Sequence, residues 1–166
     1  MSSIILIGMP GVGKSSMGVV LAKILGMEFV DSDLVIQRRS GKLLKDIIAS
    51  EGTEGFLELE DKINSEIDAG HAVIATGGSA VYGEAAMRHF KSIGRIVYLK
   101  ASYPTIAARL GNLVGRGVAM KHGQTLEDIY NERIPLYERY ADVTVDVDGE
   151  NIDNIVKKII VILNKN

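Results

Sequence analysis

The chain contains no cysteine, and that absence excludes a disulfide framework, a thiolate nucleophile and a thiolate-bound metal. It also lacks an excess of either charge. Nineteen basic and 21 acidic residues leave a net charge of −2, so the molecule as a whole does not favour nucleic acid or an anionic membrane as partner. Any bound anion must be held by a local site. No apolar run is long enough for a membrane span. The opening "MSSIILIG" has neither the basic region nor the cleavage site of a signal peptide, so a cytoplasmic address is expected. Internal repeats, low-complexity tracts and linker-like stretches are missing as well. What remains, 166 residues at 46% hydrophobic and 24% charged, predicts one domain, 1–166, that buries about two thirds of its unfolded surface. A monomer is expected.

Short β-branched runs alternate with amphipathic helical patterns along the chain. The pattern predicts strands at 4–7, 28–30, 72–75, 96–99 and 143–147, nearly continuous in apolar residues, as strands covered on both faces should be. Helices are predicted at 15–25, 33–39, 43–50, 53–68, 83–91, 103–110, 125–140 and 152–163. Such alternation implies an α/β fold, a parallel sheet with helices on both faces, and right-handed crossovers then gather all strand C-termini along one edge. The segment "GNLVGRGVAMKHGQ" has no clear period and predicts a mobile lid over about 111–124.

Between the first strand and the first helix stands "GMPGVGKS", a full match to the phosphate-loop pattern G-x-x-x-x-G-K-[ST]. Gly11, Val12 and Gly13 bring backbone N–H groups against phosphate oxygens, and the helix opening at Lys14, Ser15 and Ser16 adds its unpaired N–H groups and positive dipole end. Lys14 supplies a point charge for the β- and γ-phosphates, and Ser15 a hydroxyl for Mg²⁺. The pattern points to ATP with Mg²⁺; a ligand-free glycine turn is the bland alternative.

The recipient of the phosphoryl group must be sought elsewhere. The second strand ends in "FVDSD", which puts Asp31 and Asp33 at the same sheet edge. One carboxylate can orient Mg²⁺ through water while the other takes a proton from an attacking hydroxyl; alternatively, Asp33 simply caps the next helix. "TGGSAV" at 76–81 lets Gly77 and Gly78 approach a ligand, or forms a plain turn. Arg109, Arg116 and Lys121 are a cationic cover for phosphates or merely solvated charges. Arg133 shares a helical stripe with Leu136, Tyr137 and Tyr140, where the tyrosines read as packing.

In order and spacing, "GMPGVGKS", "FVDSD", Gly55 to Glu60, "TGG", the lid arginine and "ERIPLYERYADVTV" resemble the shikimate kinases over nearly the whole chain. The resemblance implies a three-layer P-loop fold like that of the nucleoside-monophosphate kinases, with a five-stranded parallel sheet. It also implies ATP-dependent phosphorylation of a hydroxyl on a small carboxylate metabolite. On the same ground Gly11, Gly13, Lys14 and Ser15 hold ATP and Mg²⁺, Asp31 steadies the metal, and Asp33 binds and activates the acceptor. Arg116 bridges phosphate and acceptor, Arg109 lies near the adenine, and Arg133 pairs with the acceptor's carboxylate; Glu60, Gly77 and Gly78 complete the acceptor side.

Three positions depart from the family pattern: Leu57 where an arginine is expected, Ser79 for a third glycine, and Gly117 for a proline after the lid arginine. Loss of one partner of a desolvated charge pair costs ~2–5 kcal/mol. With Glu60 and Asp33 still present, a zwitterion such as homoserine becomes an alternative acceptor to shikimate. A nucleoside-monophosphate kinase and a non-catalytic ATP-binding module are further alternatives. His71, His89 and His122 lie apart without metal-ligand spacing.

Overall fold

The computed structural model describes residues 2–111 and 117–165. Arg116 and the middle of the predicted lid, 112–116, lie outside the described residues. Five strands form one sheet: β1 (Ser3–Ile7), β2 (Glu28–Asp31), β3 (Ala72–Ala75), β4 (Gly94–Lys100) and β5 (Val143–Asp146). Their order is β2-β3-β1-β4-β5, and every pairing is parallel.

Burial follows position in the sheet. All of β1 and β3 is buried, whereas the edge strands β2 and β5 are mostly half-buried or exposed. Central parallel strands need apolar residues on both faces, and Ile5, Leu6, Ile7, Val73, Ile74, Val97 and Leu99 meet that need with no exposed surface. Seven helices are described: α1 (Lys14–Leu25), α2 (Ser32–Ser40), α3 (Leu44–Ser65), α4 (Glu84–Ile93), α5 (Tyr103–Arg109), α6 (Leu126–Tyr140) and α7 (Ile152–Asn164). The helices pack against the sheet and one another, α1 against β3 and α7, and α3 against α4. None of them is long and apolar enough to cross a membrane.

The two predicted helices, 43–50 and 53–68, form as two helical segments spanned together as α3. α3 is interrupted at Gly52, whose φ of 74° and ψ of 175° leave the helical region. The structure also decides the capping. The residue that caps α2 is Asp31, whose Oδ1 accepts from the N–H groups of Asp33 and Leu34 at 3.0 and 3.3 Å; Asp33 sits in the helix's first turn. The Asp33 carboxyl is therefore not the cap. A single 3₁₀ turn, Ala80–Tyr82, follows the glycine pair and has no apolar period that would have announced it.

From the centre of the sheet, β1 feeds the phosphate loop into α1. The connection leaving β1 leads to β2 on one side of it, and the connection leaving β3 crosses to β4 on the other, so a crevice opens at the carboxyl ends of β1 and β3, where open α/β sheets bind their ligands. The site candidates gather there.

Candidate active site

At the end of β1 the chain must turn sharply while keeping its N–H groups pointed inward. Gly13, the residue before α1, has φ 101°, a left-handed conformation that side chains disfavour. Lys14 is buried, and its Nζ donates to the carbonyls of Gly8 at 2.7 Å and Met9 at 2.8 Å. Burial lowers its pKa to about 8, opposed chiefly by the charge of Asp33. Arg109 reaches the loop from α5, its Nη1 donating to Val12 O at 3.1 Å and Gly11 O at 3.4 Å.

Strand β2 delivers the acidic residues. Ser15 Oγ donates to Asp31 Oδ2 at 2.9 Å, which brings a hydroxyl and a carboxylate together as hard oxygen donors of the kind Mg²⁺ prefers. The carboxyl of Asp33 is pushed up to about 6 by burial, with the Asp31 charge adding to the rise and Lys14 opposing it. A cleft of about 290 Å³ lies over the loop, with Lys14, Ser15, Ser16, Asp33, Gly77 and Gly78 among its walls. A smaller cavity of about 60 Å³ lies next to it, lined by Phe56, Ser79, Ala119 and Arg133 among others, and the two share Pro10, Asp33, Gly77, Gly78 and Val118. Asp33 stands on their common wall. A larger hollow, about 690 Å³, runs along β2 and α2 and touches only Asp31 of the candidates; size does not locate the site.

Close approach explains the glycine pair after β3. A Cβ on Gly77 would sit 2.6 Å from Asp33 Oδ1 and 3.0 Å from Glu60 Oε2, and one on Gly78 would sit 2.5 Å from Pro10 Cδ. The pair therefore lets two carboxyl groups and the phosphate loop converge on one strand end. Gly77 N donates to the buried Ser32 Oγ at 3.2 Å, and Tyr137 Oη donates to Gly78 O at 2.5 Å.

Glu60, 2% exposed, accepts from Ser79 Oγ at 2.7 Å through Oε1. Its Oε2 is buried with no hydrogen-bond partner among the described residues. Burial pushes this carboxyl up to about 8, with the Ser79 hydrogen bond and the Arg133 charge only partly opposing it. Arg133 is 1% exposed; Nη2 donates to Ala119 O at 2.7 Å and Nε to Tyr82 Oη at 3.4 Å. Leu57 packs with a small apolar cluster around Ile36, Ile47 and Phe56 and does not line the cavity. Neither Lys62, Arg88 nor Lys121 lines it either, leaving Arg133 as its one cation among the described residues.

The structure thus brings the predicted candidates together at one sheet edge, Arg116 excepted because it lies outside the described residues. Sequence reasoning missed Ser32, Tyr82 and the anchoring hydroxyl of Tyr137. Their partners are main-chain groups or residues distant in sequence, and no spacing rule signals those.

A phosphate loop after the central strand of a parallel five-stranded sheet, with acidic residues from the end of β2 beside it, defines a P-loop kinase of the small α/β type. The comparisons are more specific. The family model "Shikimate kinase" matches residues 10–164. A shikimate kinase of Francisella tularensis subsp. holarctica (strain FTNF002-00 / FTA) is 38% identical over 161 residues, covering 95% of this chain and 92% of the relative. One from Pseudomonas paraeruginosa (strain DSM 24068 / PA7) is 39% identical over 168 residues, covering 99% and 98%. A solved structure, shikimate kinase from Acinetobacter baumannii in complex with shikimate, superposes with a TM-score of 0.88 at 30% identity, covering 100% of this chain and 95% of that one. The chain belongs to the shikimate kinase family.

Proposed function

We propose that the chain is an ATP-dependent kinase that transfers the γ-phosphoryl group to a hydroxyl of shikimate, giving shikimate 3-phosphate. Family membership supports the substrate, and the position of Asp33 on the wall between phosphate cleft and acceptor cavity carries the reading. In this scheme the acceptor hydroxyl approaches Asp33, which takes its proton as the oxygen attacks phosphorus. Lys14 and the phosphate-loop N–H groups of Gly11, Val12 and Gly13 balance the charge that builds on the phosphoryl oxygens, and Ser16 and Arg109 border the nucleotide. Arg116 is assigned to the same charge from the lid, about 111–124 of a single domain 1–166. Mg²⁺ fits the oxygen pair of Ser15 and Asp31 and would neutralise phosphate charge there. On the acceptor side Arg133 takes the carboxylate, and Glu60, Gly77 and Gly78 shape the wall. We further propose a cytoplasmic monomer.

The zwitterionic alternative rested on two negative charges in the acceptor cavity. With its carboxyl raised to about 8, Glu60 is mostly uncharged at neutral pH, leaving Asp33 as the one anion among the described lining residues. A carboxylate acceptor without an ammonium group suits that balance better. Coupled assays with shikimate, homoserine, gluconate and nucleoside monophosphates test it: shikimate should be turned over at least about 100-fold faster than the others, and equally feeble rates on all four would reject the reading. Asp33→Asn should lower kcat about 10²–10⁴-fold while calorimetric ATP affinity holds; an ATP-binding module would show no turnover to lose.

A further inference from the structure

Arg133 carries the acceptor cavity's positive charge alone among the described lining residues, so what aims its guanidinium decides how well a carboxylate is met. Three groups aim it. Ala119 O takes Nη2. The ring of Tyr82 lies under the guanidinium, 5.3 Å from its central carbon, and the Tyr82 hydroxyl accepts from Nε. That hydroxyl then donates to Glu132 Oε1 at 2.5 Å. The other carboxylate oxygen, Glu132 Oε2, accepts from Gln124 Nε2 at 3.0 Å, and Gln124 Oε1 accepts from Lys121 N at 2.9 Å.

We propose that Tyr82, Glu132 and Gln124 form a positioning relay that orients Arg133 toward the acceptor's carboxylate and ties that orientation to the end of the lid segment. The inference rests on the role given to Arg133 under the proposed function.

Two features favour positioning over mere packing. Glu132 and Gln124 lie near or at the surface, where hydrogen bonds contribute little to stability because water replaces them. In addition, none of the described ion pairs joins Glu132 to Arg133. A direct pair would neutralise the guanidinium and compete with the acceptor. With the Tyr82 hydroxyl between them, the carboxylate polarises the oxygen that accepts from Nε, while the N–H groups of Nη1 and the second N–H of Nη2 are left for the acceptor. Gln124 closes the chain on the segment that supplies Ala119, so both hydrogen-bond anchors of Arg133 respond to where 117–124 sits.

Steady-state kinetics of Tyr82→Phe, Glu132→Ala and Gln124→Ala test the relay. Tyr82→Phe keeps the ring under Arg133 and removes only the hydroxyl; KM for shikimate should rise about 3- to 10-fold, with kcat within about two-fold and KM for ATP unchanged. Glu132→Ala should act in the same direction, and Glu132→Gln should restore most of the loss. Combined with Tyr82→Phe, Gln124→Ala should add less than its separate effect. If wild type uses shikimate and its KM is unchanged in Tyr82→Phe or in Glu132→Ala, the relay is overturned while the proposed function stands. A matched fall in kcat and melting temperature without a KM change also overturns it, since that marks packing. Wild-type protein inert toward shikimate removes the proposed function and the relay with it.

Discussion

Asp33 owes its free side chain to a neighbour two residues away. Because Asp31 spends one oxygen on the α2 cap and the other on Ser15, Asp33 is left to face Gly77, and burial with the Asp31 charge raises it to about 6. A general base works only when deprotonated, so kcat/KM should fall on the acid side with an apparent midpoint near 6, two units above an ordinary aspartate. A pH–rate profile from about 4.5 to 8 checks this; a flat profile down to 5 would remove Asp33 from the base role. The phosphate loop and the "DSD" pair were legible from residue type and spacing. Which aspartate caps and which faces Gly77 was not, because that depends on the φ/ψ path by which β2 runs straight into α2.

At the level of elements, α3 shows how far periodicity carries. Its apolar spacing predicts helix on both sides of residue 52, and the helix forms on both sides. The sharp break is set by Gly52, in a backbone region open essentially to glycine alone. Among the described residues nothing stands within 4 Å of a Cβ there, so a substitution suffers from backbone strain and not from collision. Gly52→Ala should cost about 1–3 kcal/mol, read as a lower urea midpoint with unchanged m-value. Since the break aims the half of α3 that carries Phe56 and Glu60, KM for the acceptor should rise as well. α6 is placed by a different device, a capping box in which Thr125 N donates to Asp128 Oδ2 at 2.9 Å and Asp128 N to Thr125 Oγ1 at 3.1 Å. That box starts the helix where Arg133 and Tyr137, one turn apart, both meet the site.

For the whole molecule, the converged carboxyls leave a mark on stability. Glu60 keeps its proton up to about 8 in the folded chain against an ordinary 4.5, and Asp33 up to about 6 against 3.8. A raised folded pKa gives stability that is complete below the unfolded value and lost as pH climbs to the folded one. Melting temperature should therefore decline from about pH 4.5 to about 8, the upper part of that fall belonging to Glu60. In Glu60→Gln the decline between pH 6 and 8 should flatten; a slope equal to the wild type's would refute the buried, protonated state. Lys14, lowered to about 8 from 10.5, acts in the opposite sense above that range.

The alternation of strands and helices, their parallel arrangement and the phosphate loop are written in the residue order, because these follow from local period, glycine placement and the twist of L-residues. That order also exposed Leu57 as a lost cation. Only the tertiary structure decided that no described residue replaces that cation, that Ser79 pairs with Glu60, and that Tyr82 and Glu132 stand behind Arg133. Each of those contacts joins residues from separate elements or far apart in the chain, and they exist only once β1, β3, α3 and α6 have packed around one another.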